Sequence, residues 1–363
     1  MPMPCSNLYS ISARSFEAAR RLSAGRFGGL HGHSFAVRGL MRLGEAPSGD
    51  NIDPTEPHQT RLESVLEQLD YRLLNDLIEH PDDLAIAEWI LTAPLLADFA
   101  AVELSGAANR GAIAWRSGKR QVWWRCRFEA AHQLPNVPAG HKCGRMHGHG
   151  FEACIHVDTD RSRDAHGLQL AIEKAWEPLH ALLHLGCLNE LNGLDNPTSE
   201  VLAGWICERL RPELPDLLGV TVMETPTAGC FFDGQGYRIW KSMSFDSAVR
   251  PRQPLTEAPS GRIYGHTFTA RLHLAGALDR VLGWVHDYGD VKRRFDPVLR
   301  QLDHQPLHEW AQLAGGDAAA IAGYLHARLG DALPGMDRID VLTTPGSGIL
   351  RCRGAEVRGL LVP

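Results

Sequence analysis

A repeat constrains the fold of this chain more than any other feature of its sequence. Segments related to His-Gly-His recur near residues 31, 147 and 265, and the pair Leu-Asp recurs at residues 69–70 and 302–303. A spacing of about 120 residues is too long for a solenoid unit and suits a small domain. The sequence therefore predicts three tandem domains of one fold, over residues 1–118, 119–241 and 242–363.

The middle repeat has the clearest pattern of secondary structure. Alternating or β-branched residues predict strands, and apolar residues at helical spacing predict helices. The predicted strands are residues 123–132, 151–157, 219–224 and 236–240. The predicted helices are residues 168–185 and a second helix that starts at residues 196–199, where proline and hydroxyl residues favour a helix start.

The order of these elements predicts the architecture. Two strands, two helices and two strands give a four-stranded antiparallel sheet with a helix pair on one face, which is an α+β layer. Such a sheet has open edges, and three of them can pair edge to edge and close into one barrel. We therefore expect a pseudo-trimeric β-barrel with the helices outside.

Composition excludes several classes of protein. The apolar and charged fractions, 44% and 22%, are typical of a soluble globular protein. A net charge of −6 without a long basic run argues against nucleic acid as a partner. No apolar stretch approaches the roughly 18 residues of a membrane helix, and residues 1–14 lack the apolar core of a signal peptide. Eight unclustered cysteines indicate free thiols in a reducing compartment, so we expect a cytoplasmic enzyme.

Residues 140–151 predict a metal site. They read Gly-His-Lys-Cys-Gly-Arg-Met-His-Gly-His-Gly-Phe, and on a strand His147 and His149 point to the same face. With His132, which ends the preceding strand, they form the set of three imidazoles that is typical of a catalytic zinc ion. Cys143 beside such an ion is a candidate base or nucleophile. His141, in the same turn, is expected to be solvated.

These motifs resemble those of the 6-pyruvoyl-tetrahydropterin synthase and 6-carboxytetrahydropterin synthase family, which has the tunnelling fold. The family pattern is Phe-x-Ala-Ala-His, Cys-x3-His-Gly-His, Leu-Asp-His-x-x-Leu-Asn, Pro-Thr-x-Glu and Glu-Thr. The resemblance implies a barrel of three units, active sites between neighbouring units, and two such rings in contact. For a chain of three repeats it implies a homodimer of pseudo-trimers.

The resemblance assigns roles to individual residues of the middle and third repeats. The middle repeat matches all of the pattern except the Asp–His pair: His132, His147 and His149 for zinc, Cys143 as the base, Glu224 as the pterin anchor, and Thr198 and Glu200 as further substrate-binding residues. The third repeat has the missing pair, Asp303 and His304, in Leu-Asp-His-Gln-Pro-Leu-His. The two halves are complementary, so one complete site is expected where repeat two faces repeat three.

The other two interfaces are expected to be inactive. Repeat one has Arg20 in place of the first zinc histidine and Phe27 in place of the cysteine, so His31 and His33 are interpreted as vestigial. The third repeat has Val249 and Tyr264 in place of two zinc histidines, and Ser260 in place of the cysteine.

The reaction that the resemblance implies starts from 7,8-dihydroneopterin triphosphate. The Cys-x3-His spacing and the Gly-His-Lys-Cys-Gly-Arg lead-in resemble those of the bacterial carboxy-forming members, which implies formation of 6-carboxytetrahydropterin with loss of triphosphate and acetaldehyde, on the route to queuosine. A 6-pyruvoyltetrahydropterin synthase, a non-catalytic pterin- or purine-binding protein, and a zinc enzyme with a different substrate are the alternatives. Lys142, Arg145 and residues 292–294 could contact the triphosphate or form a solvated face.

Overall fold

We describe the fold from a computed structural model that covers residues 6–23, 28–45, 55–107, 109–160, 162–250, 262–313, 316–343 and 346–353. Within these residues the three repeats have the same order of long elements: two strands, two helices and two strands. In this part of the chain, no helix is both long enough and apolar enough to cross a membrane.

The elements of each repeat follow in chain order. The first repeat contains β1 (Ser6–Leu22), β2 (Gly29–Glu45), α1 (Thr55–Leu66), β3 (Arg72–Leu73), α2 (Asp83–Thr92), β4 (Phe99–Ala107) and β5 (Arg110–Trp115). The second contains β6 (Arg120–His132), β7 (His147–Thr159), α3 (Ala165–Leu183), β8 (Gly186–Cys187), α4 (Ser199–Leu210), β9 (Leu217–Thr225) and β10 (Ala228–Phe232). The third contains β11 (Tyr237–Val249), β12 (Tyr264–Gly276), α5 (Tyr288–Leu302), α6 (Ala318–Leu329), β13 (Met336–Leu342) and β14 (Gly348–Arg353).

The twelve strands other than the two-residue β3 and β8 form one closed antiparallel barrel. The strand order is β14-β13-β12-β11-β10-β9-β7-β6-β5-β4-β2-β1, and β14 pairs with β1 to close the ring. Pairs β5–β6 and β10–β11 join the repeats in the same way. Closure leaves no long sheet edge unpaired, which is the reason three open sheets combine. The predicted α+β fold, a pseudo-trimeric barrel with helices outside, is confirmed.

One predicted strand was placed in the wrong repeat. Residues 236–240 are the start of β11, the first strand of repeat three, and the fourth strand of repeat two is the short β10. A tight turn separates them, in which the Asp233 carboxylate accepts the amides of Gln235 and Gly236 at 2.9 and 2.8 Å. β11 therefore crosses the predicted boundary at residue 241, and the division into three domains stays a prediction.

The core lies between the barrel and the helices. One stacked phenylalanine pair recurs in each repeat: Phe16–Phe35, Phe128–Phe151 and Phe245–Phe268. In repeat two this pair also faces Trp176 of α3, with ring centroids of Phe128 and Trp176 6.0 Å apart. Because side chains alternate along a strand, His132 and His149 share the face of Phe128 and Phe151. The predicted metal ligands therefore point to the helix-facing side of the barrel, at the end of the β6–β7 hairpin.

Candidate metal centre and substrate site

Three histidines meet where the β6–β7 hairpin opens. The register pairs His132 with His147, and Ala130 with His149. One ring nitrogen of each histidine lies within 4.8 Å of the others. The strand pairing itself brings the predicted zinc ligands together.

The surroundings of the histidines orient their rings for metal binding. His132 Nδ1 lies 2.9 Å from the Pro197 carbonyl oxygen, and His147 Nδ1 lies 2.7 Å from that of Arg145. Each Nδ1 therefore carries the proton and donates it, which leaves each Nε2 lone pair available. His132 Nε2 is buried without a hydrogen-bond partner, which is costly unless a ligand binds there.

The electrostatics of the rings also suit a cation. Burial lowers the pKa of His132 to about 4, and burial followed by the neighbouring His147 lowers that of His149. Both rings are therefore neutral near pH 7, the form that binds a metal. Three imidazole nitrogens are a donor set that zinc accepts in proteins.

Cys143 lies in a short 3₁₀ turn, Lys142–Gly144, beside these histidines in the chain. Its carbonyl oxygen accepts the Leu134 amide at 2.8 Å, and its own amide donates to His141 Nδ1 at 3.2 Å. Burial, and then the carboxyl of Glu224, raise the pKa of the Cys143 thiol. A cation bound at the three histidines would oppose both effects and favour the thiolate.

Two carboxyl groups lie near each other in this region, and one of them, Glu224, is close enough to Cys143 to influence its thiol. Glu224 is at the end of β9, and burial followed by the proximity of Glu200 raises its pKa to about 8. Burial raises the pKa of Glu200 to about 7. Both groups therefore bind a proton more tightly than an exposed glutamate does, because neither charge is well solvated.

Thr198 and Glu200 of the second repeat form hydrogen bonds with the backbone of the third. Thr198 Oγ1 accepts the Val201 amide at 3.1 Å as the N-cap of α4, and it donates to the Gly283 carbonyl oxygen. The Glu200 carboxylate accepts the Val285 amide at 3.0 Å. Both side chains are buried and these bonds occupy them, so their predicted contact with substrate stays a prediction.

Asp303 and His304 form the predicted pair. Asp303 Oδ1 lies 3.0 Å from His304 Nδ1 and also accepts the Asp246 amide at 3.0 Å. That amide first, and then the His304 ring, lower the pKa of Asp303. The His304 side chain is 77% exposed and lines a cavity of about 530 Å³ together with Asp246 and Thr267.

The backbone at this pair is the same in all three repeats. Tyr71, Leu185 and His304 have φ angles of 53°, 60° and 55°, in the left-handed region that non-glycine residues rarely adopt. Their amides each donate at 2.6 Å to a strand carbonyl oxygen, those of Glu17, Glu129 and Asp246 respectively. The strained turn is therefore a property of the repeat, whereas the Asp–His side chains occur in repeat three alone.

The sheet topology relates the two predicted half-sites. β9 pairs with residues 152–157 of β7, and β10 pairs with residues 237–241 of β11, so the ends of β7 and β11 at residues 147–151 and 242–249 have no strand between them. The zinc histidines lie on the β7 side of this gap. Asp303 and His304 lie at the β11 edge, where Ala248 bridges to Pro306. Within the described residues, no hydrogen bond or ion pair joins the two halves directly.

The metal cluster occurs in the stretch that matches a known family. The family model described as 6-pyruvoyl tetrahydropterin synthase matches residues 121–235 and 238–351. This chain belongs to that family. A curated relative, the 6-carboxy-5,6,7,8-tetrahydropterin synthase of Synechocystis sp., is 39% identical over 110 residues, which cover 28% of this chain and 83% of the relative.

Two solved structures show more distant likeness. The Caenorhabditis elegans 6-pyruvoyl tetrahydropterin synthase is 21% identical, with a TM-score of 0.28, over 32% of this chain and 95% of that one. The Arthrobacter globiformis uricase is 7% identical, with a TM-score of 0.21, over 97% of this chain and 96% of that one. At these TM-scores neither structure supports an inference about this chain.

The family positions in the other repeats are altered in different ways. In repeat one Arg20 is fully buried beside His33. In repeat three Val249 is buried and Tyr264 is 42% exposed. Phe27 and Ser260, the residues at the cysteine position, lie outside the described residues.

Sequence reasoning missed a contact across the repeats. His141 is not solvated as expected: its side chain is 22% exposed, and its Nε2 lies 3.5 Å from the Asp287 carboxylate of repeat three. The two residues are far apart in sequence, so only the docking of the repeats reveals the contact.

A second missed residue is Lys241. Burial lowers its pKa, and the nearby charges of Lys292 and Lys142 lower it further. Lys241 Nζ donates to Thr227 Oγ1 at 2.8 Å, in the turn between β9 and β10. Two of the basic residues named from the sequence, Lys142 and Lys292, therefore have a lysine neighbour that the sequence did not indicate.

Proposed function

We propose that this chain is a zinc-dependent 6-carboxytetrahydropterin synthase that converts 7,8-dihydroneopterin triphosphate to 6-carboxytetrahydropterin, with loss of triphosphate and acetaldehyde. The observation that carries the proposal is the buried Nε2 of His132, which has no protein partner while its Nδ1 is fixed by the Pro197 carbonyl. Membership of the family supplies the reaction class.

Each residue has a role that suits its chemistry in this proposal. His132, His147 and His149 would hold a zinc ion, which would supply Lewis-acid chemistry toward a substrate hydroxyl. Cys143 takes a proton from a side-chain carbon of the substrate, and Asp303 orients His304 for proton transfer on the opposite side. Glu224 anchors the pterin, whose amino group and ring N–H are two donors for one carboxylate.

The raised pKa of Glu224 agrees with this anchoring role. A carboxyl with a pKa of about 8 is mostly protonated in the free protein at neutral pH. Two N–H donors of a bound pterin would stabilise the carboxylate form and lower that pKa again. Binding of the pterin is therefore expected to release a proton near pH 7.

Different observations bear on which product forms and on whether the chain is catalytic. The Cys-x3-His spacing and the named activity of the Synechocystis relative favour the carboxy product over the 6-pyruvoyl product. The loss of zinc ligands in two repeats is compatible with a non-catalytic pterin-binding protein instead. A turnover assay distinguishes an enzyme from a binding protein, and the identity of the product distinguishes the two reactions.

The test is to incubate the zinc-loaded protein with 7,8-dihydroneopterin triphosphate and to identify the products by mass spectrometry. We expect 6-carboxytetrahydropterin, acetaldehyde and triphosphate, and none of them with the Cys143→Ala variant. Pterin binding without turnover would refute the synthase and support the binding protein. A 6-pyruvoyl product would refute the carboxy assignment only.

We also propose a cytoplasmic homodimer in which two barrels meet end to end. Leu30, Met146 and Ile263 occupy equivalent positions at the start of three long strands, and each is more than half exposed. Such a repeated apolar ring suits a second copy of the chain. Light scattering should give a dimer for the parent chain and a monomer for a Leu30→Asp/Ile263→Asp variant; a monomeric parent would refute the proposal.

A further inference from the structure

The turn that carries Cys143 is held by His141. The Cys143 amide donates to His141 Nδ1 at 3.2 Å, and the Gly144 amide donates to the His141 carbonyl oxygen at 3.1 Å. Because Nδ1 is the acceptor, the proton of the neutral ring is on Nε2. That Nε2 faces the Asp287 carboxylate at 3.5 Å, and the His141 and Trp284 rings are 6.0 Å apart.

Hydrogen bonds between side chains of repeat two and the backbone of repeat three hold the segment that leads to Asp287. Asn136 Nδ2 donates to the Val281 carbonyl oxygen at 2.7 Å, and Asn196 Nδ2 donates to that of Leu282 at 2.8 Å. The bonds of Thr198 and Glu200 described above hold the next residues of the same segment. Four side chains of repeat two thus fix residues 281–285, and Asp287 lies two residues further along the chain.

Asp287 itself is fixed by the start of helix α5. As the N-cap, its carboxylate accepts the Gly289 amide at 2.7 Å, while the other carboxylate oxygen is the one that faces His141. A rigid helix start therefore presents the carboxylate to the turn.

We propose that Asp287 and His141 are positioning residues for Cys143, so that repeat three controls the nucleophilic thiol of repeat two through one histidine. This inference rests on the proposed function for its catalytic consequence only. Asp287 fixes the tautomer and orientation of His141, and His141 in turn holds the backbone amide of Cys143. The contact adds to the Asp303–His304 pair a second contribution of repeat three to the site.

The chain offers a matched control for the capping role of Asp287. Asp164 is the N-cap of α3 in repeat two, where its carboxylate accepts the His166 amide at 3.1 Å. Serine is as good an N-cap as aspartate, but its hydroxyl is too short to reach across the interface. Asp164→Ser and Asp287→Ser therefore keep both caps, and only the second removes the contact with His141.

The experiment measures the alkylation rate of Cys143 by iodoacetamide, followed by mass spectrometry of its peptide, in the zinc-loaded protein without substrate. We expect Asp287→Ser to change this rate by about 3-fold or more, because the turn loosens around a partly buried thiol, and Asp164→Ser to leave it unchanged. If the synthase activity is present, Asp287→Ser should also lower kcat about 10-fold with little change in KM.

A double-mutant cycle tests whether Asp287 acts through His141. In His141→Asn the shorter side chain can still accept the amide of residue 143, but it no longer reaches Asp287. The Asp287→Ser/His141→Asn variant should behave like either single variant. Additive effects, or equal alkylation rates in Asp287→Ser and the parent, would overturn the proposal. These outcomes are independent of turnover, so failure of the proposed reaction would not be confused with failure of the positioning role.

Discussion

The first and second repeats hold almost the same pair of histidine rings and differ in the third group beside them. The centroids of His31 and His33 are 4.7 Å apart at 86°, and those of His147 and His149 are 5.0 Å apart at 84°. His31 Nδ1 also meets a carbonyl oxygen two residues upstream, that of Gly29 at 3.1 Å, as His147 does. The strand register is the same as well, and it pairs His31 with Arg20 where His147 pairs with His132.

In the first repeat the charged side chain of Arg20 occupies the position that His132 has in the second. Its guanidinium is fully buried and donates to the Asp83 carboxylate at 2.7 Å and to the Pro81 carbonyl oxygen at 3.2 Å. A Cβ on Gly106 would overlap Asp83, so the ion pair is tightly enclosed. Burial and then the nearby Arg20 lower the pKa of His33 to about 4. A protein cation has thus taken the place that a metal would need.

The two repeats have different polar side chains at the same buried position of one fold, and these side chains find their partners in different ways. The first repeat neutralises it with a salt bridge from its own chain, between Arg20 and the first residue of α2. The second repeat has Ser199 at the corresponding helix position and leaves His132 Nε2 without a partner. The first repeat also leaves His31 Nε2 without a hydrogen-bond partner, but Arg20 stands there in place of the third imidazole, so only the second repeat offers three imidazoles to a ligand from outside.

The largest expected effect comes from removing a zinc ligand in repeat two. His147→Ala should abolish the single zinc site, with metal affinity lowered by more than about 100-fold, because two imidazoles cannot hold the ion as three do. His31→Ala should leave the zinc content unchanged. Metal analysis after dialysis measures both. Loss of zinc from His31→Ala, or about two zinc ions per parent chain, would contradict the contrast between the repeats.

The next effect comes from breaking the ion pair of repeat one. Arg20→Met should lower the free energy of unfolding by about 3 kcal/mol, because the buried Asp83 then depends on the longer ion pair with Arg110, whose Nε lies 4.0 Å from its carboxylate. Arg20→Met/Asp83→Asn should recover only part of this loss: the amide removes the charge and still accepts from Gln169, whose Nε2 lies 3.0 Å from Asp83, but the buried Arg110 loses its ion pair with this carboxylate. Urea unfolding measures both variants. Equal stability of Arg20→Met and the parent would show that the pair contributes nothing.

A third experiment sharpens the comparison by converting one repeat toward the other. Arg20→His/Asp83→Ser gives repeat one the residues that repeat two has at the corresponding positions. We expect a second, weaker zinc ion per chain, because His31 and His33 already have the required arrangement. Arg20→Ala/Asp83→Ser is the control that lacks the third ligand. Zinc content that does not change between these two variants would mean that Arg20 is not what excludes the metal.

The sequence allowed the barrel and the metal ligands to be predicted because both depend on local patterns. Alternation and helical spacing determine the elements, and the His-x-His spacing on a strand determines which side chains share a face. β10 was missed because its five residues are too short to show a period and include a glycine. A short strand of this kind forms because β9 and β11 pair with it, and local sequence patterns do not show which strands pair.

The remaining features of the site arise from contacts between distant parts of the chain. Thr198 and Glu200 were selected by their motif, but their bonds to Gly283 and Val285 depend on how repeat three docks. Asp83 was not recognised at all, because nothing in its local sequence shows that Arg20 lies beside it. Local patterns thus identify candidate groups, and only the fold shows whether a ligand or the protein itself occupies them.

The smallest expected effect concerns the pH dependence of stability near the metal site. The pKa of Glu224 is raised from an ordinary 4.5 to about 8, so the folded state holds this proton more tightly than the unfolded chain does. The resulting stability is fully present below about pH 4.5 and is lost as the pH rises through about 8. Glu224→Gln cannot ionise, so in zinc-free protein its melting temperature should exceed that of the parent at pH 8.5 and match it near pH 4.5. Glu177→Gln, at an exposed position on α3, is the control and should follow the parent at both pH values. A Glu224→Gln advantage that is the same at both pH values would mean that burial of the charge is not the cause.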